Sequence, residues 1–221
     1  MFAVVAILAV PFAYIAKERR QSIRECEIAA ELVKQGWECG FGGPYDSYTP
    51  LGEVDSKGVW CELARLLLGQ RVYKAYAPQQ ASTSTAFHAT TNLSRIARFT
   101  NLRELYVSNT HVRDLSPLVR LKKLEVLYVE NTPVSDLTPL SDLTNLKYLF
   151  IRHTQVSDLS PLAGLTDLGC FYLSNTPVSD LRPVAGLKKL WRLYFDRCPV
   201  GDEQTAMIRA ALPECKIVPF P

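Results

Sequence analysis

The stretch Leu127 to Leu140, "LYVENTPVSDLTPL", decides how the chain is read. Near copies surround it at a constant interval: "LYVSNTHVRDLSPL", "LFIRHTQVSDLSPL", "FYLSNTPVSDLRPV" and "LYFDRCPVGDEQTA". Leu102, Leu124, Leu146, Leu168 and Leu190 open five units of 22 residues, and Leu212 opens a sixth that is incomplete. Counting each opening leucine as position 1, apolar residues recur at positions 4, 6 and 11; the first unit supplies Leu105, Val107 and Val112. Alternation at positions 4 and 6 predicts a short strand with those residues inward, and identical strands stacked at a fixed sequence step pair in parallel. Such a period is the signature of a repeat array, in which each unit buries its core only against its neighbours.

Position 9 is Thr110, Thr132, Thr154, Thr176 and Cys198. A small polar residue there is expected to line a row along the turn and to bond backbone groups of neighbouring coils. The return half of each unit carries Asp114, Asp136, Asp158 and Asp180, three residues before Pro117, Pro139, Pro161 and Pro183. A short acceptor can take the backbone N–H two residues on, and proline is tolerated in the first turn of a helix, so this half predicts a tight capped turn. Calcium binding or acid–base catalysis is the alternative for a row of carboxylates. Capping accounts better for it, because each aspartate has its own turn to serve. Leu93, Ile96 and Phe99 lie 22 residues before Leu115, Leu118 and Leu121 and mark a degenerate earlier repeat.

The pattern "L..L.V..T.V.DLSPL" resembles the leucine-rich repeats of the bacterial internalin type, over Leu93 to Val218. It departs from them in having Thr or Cys where the ladder often has Asn, and in a last unit that abandons the turn. The resemblance implies an α/β fold: a right-handed solenoid, or horseshoe, with a concave parallel β-sheet, short 3-10 or turn segments on the convex side, and an N-terminal helix before it. It implies no chemistry. The last unit, "VGDEQTAMIRAALPECKIV", is expected to place Met207, Ile208 and Ala211 on a capping helix and to return Leu212, Cys215 and Ile217 to positions 1, 4 and 6. The wider layout, an apolar start, a basic helix, a "GW" turn, repeats and a final "LPECKI", looks like the membrane-anchored leucine-rich repeat proteins of planctomycete bacteria.

Ahead of the repeats, Phe2 to Ala16 is an uncharged, mostly apolar run followed at once by Lys17, Arg19 and Arg20. As a helix it spans about 22 Å at ~1.5 Å per residue, short of a ~30 Å hydrocarbon core. A short anchor, a cleaved signal peptide and a buried core helix compete for it. Basic residues after the run, with none before it, favour the anchor over a secretory signal. The expected localisation is therefore the membrane, by a single-pass N-terminal segment, and the positive-inside rule puts the remainder in the cytoplasm. Residues 17–36 read as a juxtamembrane helix with an apolar stripe ending at Gly36. Residues 37–99 read as an N-terminal cap: a strand from Trp37 to Phe41, an aromatic loop, a helix from Val59 to Gly69, an edge strand from Arg71 to Ala77, and the degenerate repeat. The five repeats occupy 100–211 and a C-terminal cap strand 212–221.

Composition narrows the function. The 221-residue chain is 48% hydrophobic and carries a net charge of +3, with 14 basic against 13 acidic residues from Thr100 onward, so nucleic acid is not an expected partner. Six cysteines without a Cys-x-x-Cys spacing suggest neither zinc nor a disulfide framework. His88, His111 and His153 are scattered, and no nucleophile motif or phosphate-cradling loop is present, so no enzyme activity and no cofactor are expected.

The outward positions carry what remains. Position 5 is Tyr106, Tyr128, Phe150, Tyr172 and Tyr194, expected as one row of rings at the ~4.8 Å strand spacing. Position 3 adds Glu104, Val126, Tyr148, Cys170 and Arg192; position 7 adds Ser108, Glu130, Arg152, Ser174 and Asp196. The row reads either as a sheet-stabilising stack or as a partner-binding strip, and the two are compatible. The expected function is a non-enzymatic, membrane-tethered module that binds an unidentified protein through Tyr106, Tyr128, Tyr148, Phe150, Tyr172 and Tyr194, with Glu130 and Arg152 as polar selectors. A cell-wall glycan stacked on the same strip is the alternative.

Overall fold

A computed structural model describes residues 92–218 throughout, the backbone of three strands before them, and the isolated helical positions Arg24, Glu27, Ile28 and Glu31. The apolar run Phe2 to Ala16, the aromatic loop after Phe41 and the expected helix Val59 to Gly69 lie outside the described residues. The chain divides into two units, 1–73 and 74–221. In the first, β1 (Glu38–Phe41) and β2 (Thr49–Pro50) pair antiparallel, Gly40 opposite Pro50.

The second unit is a stack of coils. Strand β3 (Val72–Tyr76) pairs from Lys74 with β4 (Glu104–Tyr106), and β5 (Val126–Tyr128), β6 (Tyr148–Phe150), β7 (Cys170–Tyr172) and β8 (Arg192–Tyr194) follow in order, all parallel. The register from β4 to β8 keeps the 22-residue step: Leu105 faces Leu127, then Leu149, Phe171 and Leu193. Opposite each strand the chain closes its coil with a 3-10 turn, Ser116–Arg120, Thr138–Leu140, Ser160–Leu162 and Arg182–Val184, and Ile96–Arg98 does so in the degenerate first repeat. The apolar periodic positions fill the space between, and Leu102, Leu105, Val107, Val112, Leu118 and Leu121 retain no accessible surface.

Two polar devices hold the coil's corners. Asp114, Asp136, Asp158 and Asp180 each accept the backbone N–H two residues on, at 2.8–2.9 Å, ahead of the proline of the 3-10 turn. At the other corner each buried threonine hydroxyl donates within its own coil, and Thr176 also meets the next coil, at Cys198 Sγ 3.3 Å away. Thr110 donates to the Val107 carbonyl, Thr132 to Val129, Thr154 to Ile151 and Thr176 to Leu173, at 2.6–2.7 Å. The expectation of a bond between coils is corrected here, because the chain turns sharply at position 8. Asn109, Asn131, His153, Asn175 and Arg197 all have φ between 53° and 61°, a left-handed conformation that brings the hydroxyl back onto the carbonyl three residues before it. Cys198, the last of the row, reaches across a coil, to the Leu173 carbonyl at 3.3 Å.

The expected capping helix is present: α1 (Asp202–Ala211) carries Met207, Ile208 and Ala211 where earlier coils have a 3-10 turn, and it buries Ile208. The register after it departs from expectation. The helix lengthens the coil, so that in β9 (Lys216–Val218) Ile217 lies opposite Leu193 at a step of 24 residues. Cys215 therefore falls before the strand and not at position 4, and Lys216 and Val218 take the outward rows beside Arg192 and Tyr194.

Two outcomes follow from the corners. Replacing Thr132 with valine keeps its shape and leaves a buried carbonyl without its donor, so denaturant unfolding should show a loss of about 1–3 kcal/mol. Hydrogen bonds from the side chain and backbone of the residue two places on hold the four corner aspartates below the usual carboxylate range. A depressed folded pKa contributes stability that is fully present above the unfolded value of about 3.9 and is lost as pH falls through the folded value. The denaturation midpoint should be flat from about pH 5 upward and fall below about pH 4, and replacing the four aspartates with asparagine should flatten that fall.

Candidate functional site

Because strands repeat in register, residues of one repeat position become lateral neighbours on the sheet. At position 5 this makes a continuous stack of rings. Centroids lie 4.7 Å apart between Tyr106 and Tyr128, 3.9 Å between Tyr128 and Phe150, 4.9 Å between Phe150 and Tyr172, and 4.3 Å between Tyr172 and Tyr194. The planes diverge by no more than 22°. Each interior ring thus covers both faces with its neighbours and presents its edge, which is why all five are half-buried. The phenol of Tyr106 donates to Glu104 at 3.1 Å, and that of Tyr172 accepts from Arg192 at 3.4 Å. Burial first, and the adjacent Glu130 carboxylate second, push the Tyr128 phenol above its ordinary value.

The two polar selectors are also lateral neighbours, and they pair. Arg152 donates through Nε and Nη2 to both carboxylate oxygens of Glu130, the second bond at 3.3 Å, and its guanidinium lies 5.5 Å from the centroid of the Tyr172 ring. That hydrogen bond holds the Arg152 guanidinium above its ordinary value. The Glu130 backbone N–H donates to Ser108, which is buried beneath this row rather than outward as its position suggested. Cys170 is likewise buried, and burial raises its thiol pKa.

Tyr148, the remaining sequence-predicted residue, is 38% exposed at position 3 of β6. Sequence reasoning passed over its companion. Trp191, 45% exposed, lies against the backbone of Gly169, where a Cβ would come within 2.8 Å of the indole nitrogen. The Arg192 guanidinium sits 4.6 Å from the Trp191 ring and 6.0 Å from that of Tyr194. The signal was present: "GC" at 169–170 falls in register with "WR" at 191–192, a missing side chain beside a large one. A shallow cleft of about 330 Å³ opens beside Tyr172 and Tyr194, bordered by Arg152, Ser174, Asp196 and Arg197.

Among the described residues no group of His, Cys, Asp and Glu side chains has the arrangement of a metal site. His153 occupies a left-handed turn with its Nδ1 at 2.6 Å from the Asn175 amide, and His88 lies outside the described residues.

Residues 100–142 and 144–189 match the family of leucine-rich repeats in two copies. Internalin C2 of Listeria monocytogenes is 31% identical with a TM-score of 0.56, over 59% of this chain and 57% of that one. These coils are leucine-rich repeats of the internalin type. A second Listeria monocytogenes internalin, inlF, is 26% identical with a TM-score of 0.53, over 57% of this chain and 37% of that one. The chain thus spans 37% and 57% of the length of these two internalins. No curated protein matches the sequence.

Each stacked pair of rings contributes about 0.5–1.5 kcal/mol beyond area burial, and Phe150 takes part in two pairs. Phe150→Leu, which keeps an apolar side chain, should lower unfolding free energy by about 1–3 kcal/mol in chemical denaturation.

Proposed function

We propose that the leucine-rich repeats bind another polypeptide through the outward face of the parallel sheet, centred on Tyr128, Tyr148, Phe150 and Tyr172. The observation that carries this reading is the ring stack itself. It gives a rigid, half-buried strip whose polar edges and exposed neighbours, Tyr148 and Trp191, offer amphipathic contact area at little entropic cost. The Glu130–Arg152 pair sets polarity at the strip's margin. Enzyme chemistry has little to support it, since the repeat positions that carry polar groups are spent on corners and ion pairs.

The glycan alternative has weaker support. Sugars dock on the faces of aromatic rings, and here both faces of the three interior rings, Tyr128, Phe150 and Tyr172, are covered by other rings. Tethering to a membrane remains part of the proposal through Phe2 to Ala16. Alkaline extraction of a membrane fraction checks it: the full chain should stay with the pellet, and release into the supernatant removes the tether.

Replacing Phe150 and Tyr172 with serine should cut retention of the native partner from cell extract by about tenfold, equal to ~1.4 kcal/mol, with circular dichroism still showing cooperative melting. Equal retention by the substituted and unsubstituted chains, both folded, would sink this reading.

A further inference from the structure

Several cations on the coils pair with carboxylates, while Lys123 holds the Asn101 amide oxygen and Lys188 the Ala211 carbonyl. Glu125 pairs with both Arg103 and Lys147, Glu130 with Arg152, Asp167 with Lys189, and Asp180 with Arg182. At the C-terminal end of the outward face this matching stops. Arg192 has no carboxylate partner among the described residues. Its contacts are the Tyr172 hydroxyl at 3.4 Å and the rings of Trp191 and Tyr194, and its Nε is covered with no acceptor. Directly opposite it in the β8–β9 register stands Lys216, an exposed cation on the same face, also without a carboxylate partner among the described residues. Like charges directly opposite on neighbouring strands destabilise a sheet. The helix α1 and its two additional residues are what bring Lys216 into this row.

We propose that Arg192 and Lys216, with Trp191 and Tyr194 beside them, form a carboxylate receptor that seats an acidic, Glu- or Asp-rich segment of the partner polypeptide. The inference rests on the reading that this face binds a polypeptide and adds the chemistry of what it binds. The aromatic cradle fixes the guanidinium without neutralising it, so a carboxylate meets a preorganised donor at the Nη end, with Nη1 shared with the Tyr172 hydroxyl. The second cation adds attraction and has its own repulsion relieved.

A continuous polyanion fits the face less well. A nucleic-acid strand laid along the ring stack would cross Glu104 at position 3 of β4, the Glu130–Arg152 pair and Asp196 as well as the two cations. Asp196 stands beside Arg197, at 3.9 Å, and leaves Arg192 to the incoming group. The two cations without a carboxylate partner therefore lie together at one end of the outward rows. That placement suits a segment with local acidic charge better than a uniformly negative strand.

The test uses the full chain in detergent micelles, with an acetylated and amidated oligoglutamate peptide as probe and an oligothymidylate of matching charge as the polyanion comparison. Binding is read by anisotropy of the labelled probe and by tryptophan emission in a chain with Trp37 and Trp60 replaced by phenylalanine, which leaves Trp191 as the emitter. Oligoglutamate should bind more tightly than oligothymidylate, and its affinity should fall about tenfold in Arg192→Gln and about threefold in Lys216→Gln, with Arg192→Lys between. Far-UV circular dichroism and the melting temperature of the variants verify the fold, and Gly169→Ala, which pushes the indole off its seat, should weaken the peptide without removing a charge. Equal affinity of Arg192→Gln and the unsubstituted chain overturns the receptor, as does tighter binding of oligothymidylate. Partner capture that depends on Phe150 and Tyr172 but is indifferent to Arg192→Gln and to competing oligoglutamate also overturns it, and leaves the broader reading of the face intact.

Discussion

Everything in the repeat unit depends on one pairing: strands of three residues joined in parallel at a step of 22, so that Leu105, Leu127, Leu149, Phe171 and Leu193 follow one another across the sheet. Three-residue strands are too short to hold themselves. The ladder continues past them, with the Val107 N–H on the Tyr128 carbonyl and the Asn109 N–H on that of Glu130, and the same bonds recur in the next three coils. The position 8 residue then turns left-handed, and the threonine hydroxyl takes up the carbonyl that the turn leaves behind. Pairing, turn and hydroxyl are one device repeated, and none of the three is satisfied without the others.

The consequence for function is geometric. A fixed step turns each repeat position into a row, so the outward face is a set of parallel lines whose members touch sideways. Identical rings stack, opposite charges pair as Glu130 does with Arg152, and a charge without a partner stands out against its row. The same geometry makes a substitution at position 5 felt by two neighbours.

The inward residues could be read from the period alone, because burial repeats five times at positions 1, 4 and 6 and four times at position 11, and leaves one consistent inside. The ring row and the aspartate corners were legible for the same reason. Three features were not. The threonine hydroxyls were expected to reach the next coil, and the left-handed turn that redirects them is spelled with Asn in only three of five units, His153 and Arg197 obscuring it. Leu212 was counted as the start of a unit in step with the rest. A helix of ten residues takes more chain to cross the coil than a 3-10 turn, and the strand after it slips by two. The Trp191–Arg192 pair was missed because its meaning lies in Gly169, a residue one coil away whose missing side chain gives the indole its seat.

Native-state hydrogen exchange followed by NMR measures this ladder most directly. The amides of Val129 and Asn131, and of Ile151 and His153, should be protected to a common opening free energy, since each donates to the coil that follows. Protection should extend to Asn131 and His153 although both stand on the surface. If those two exchange at the rate of an unstructured peptide while Val129 and Ile151 stay protected, the ladder ends at the strand, the turn is not part of it, and the account of how the outward face is held is wrong.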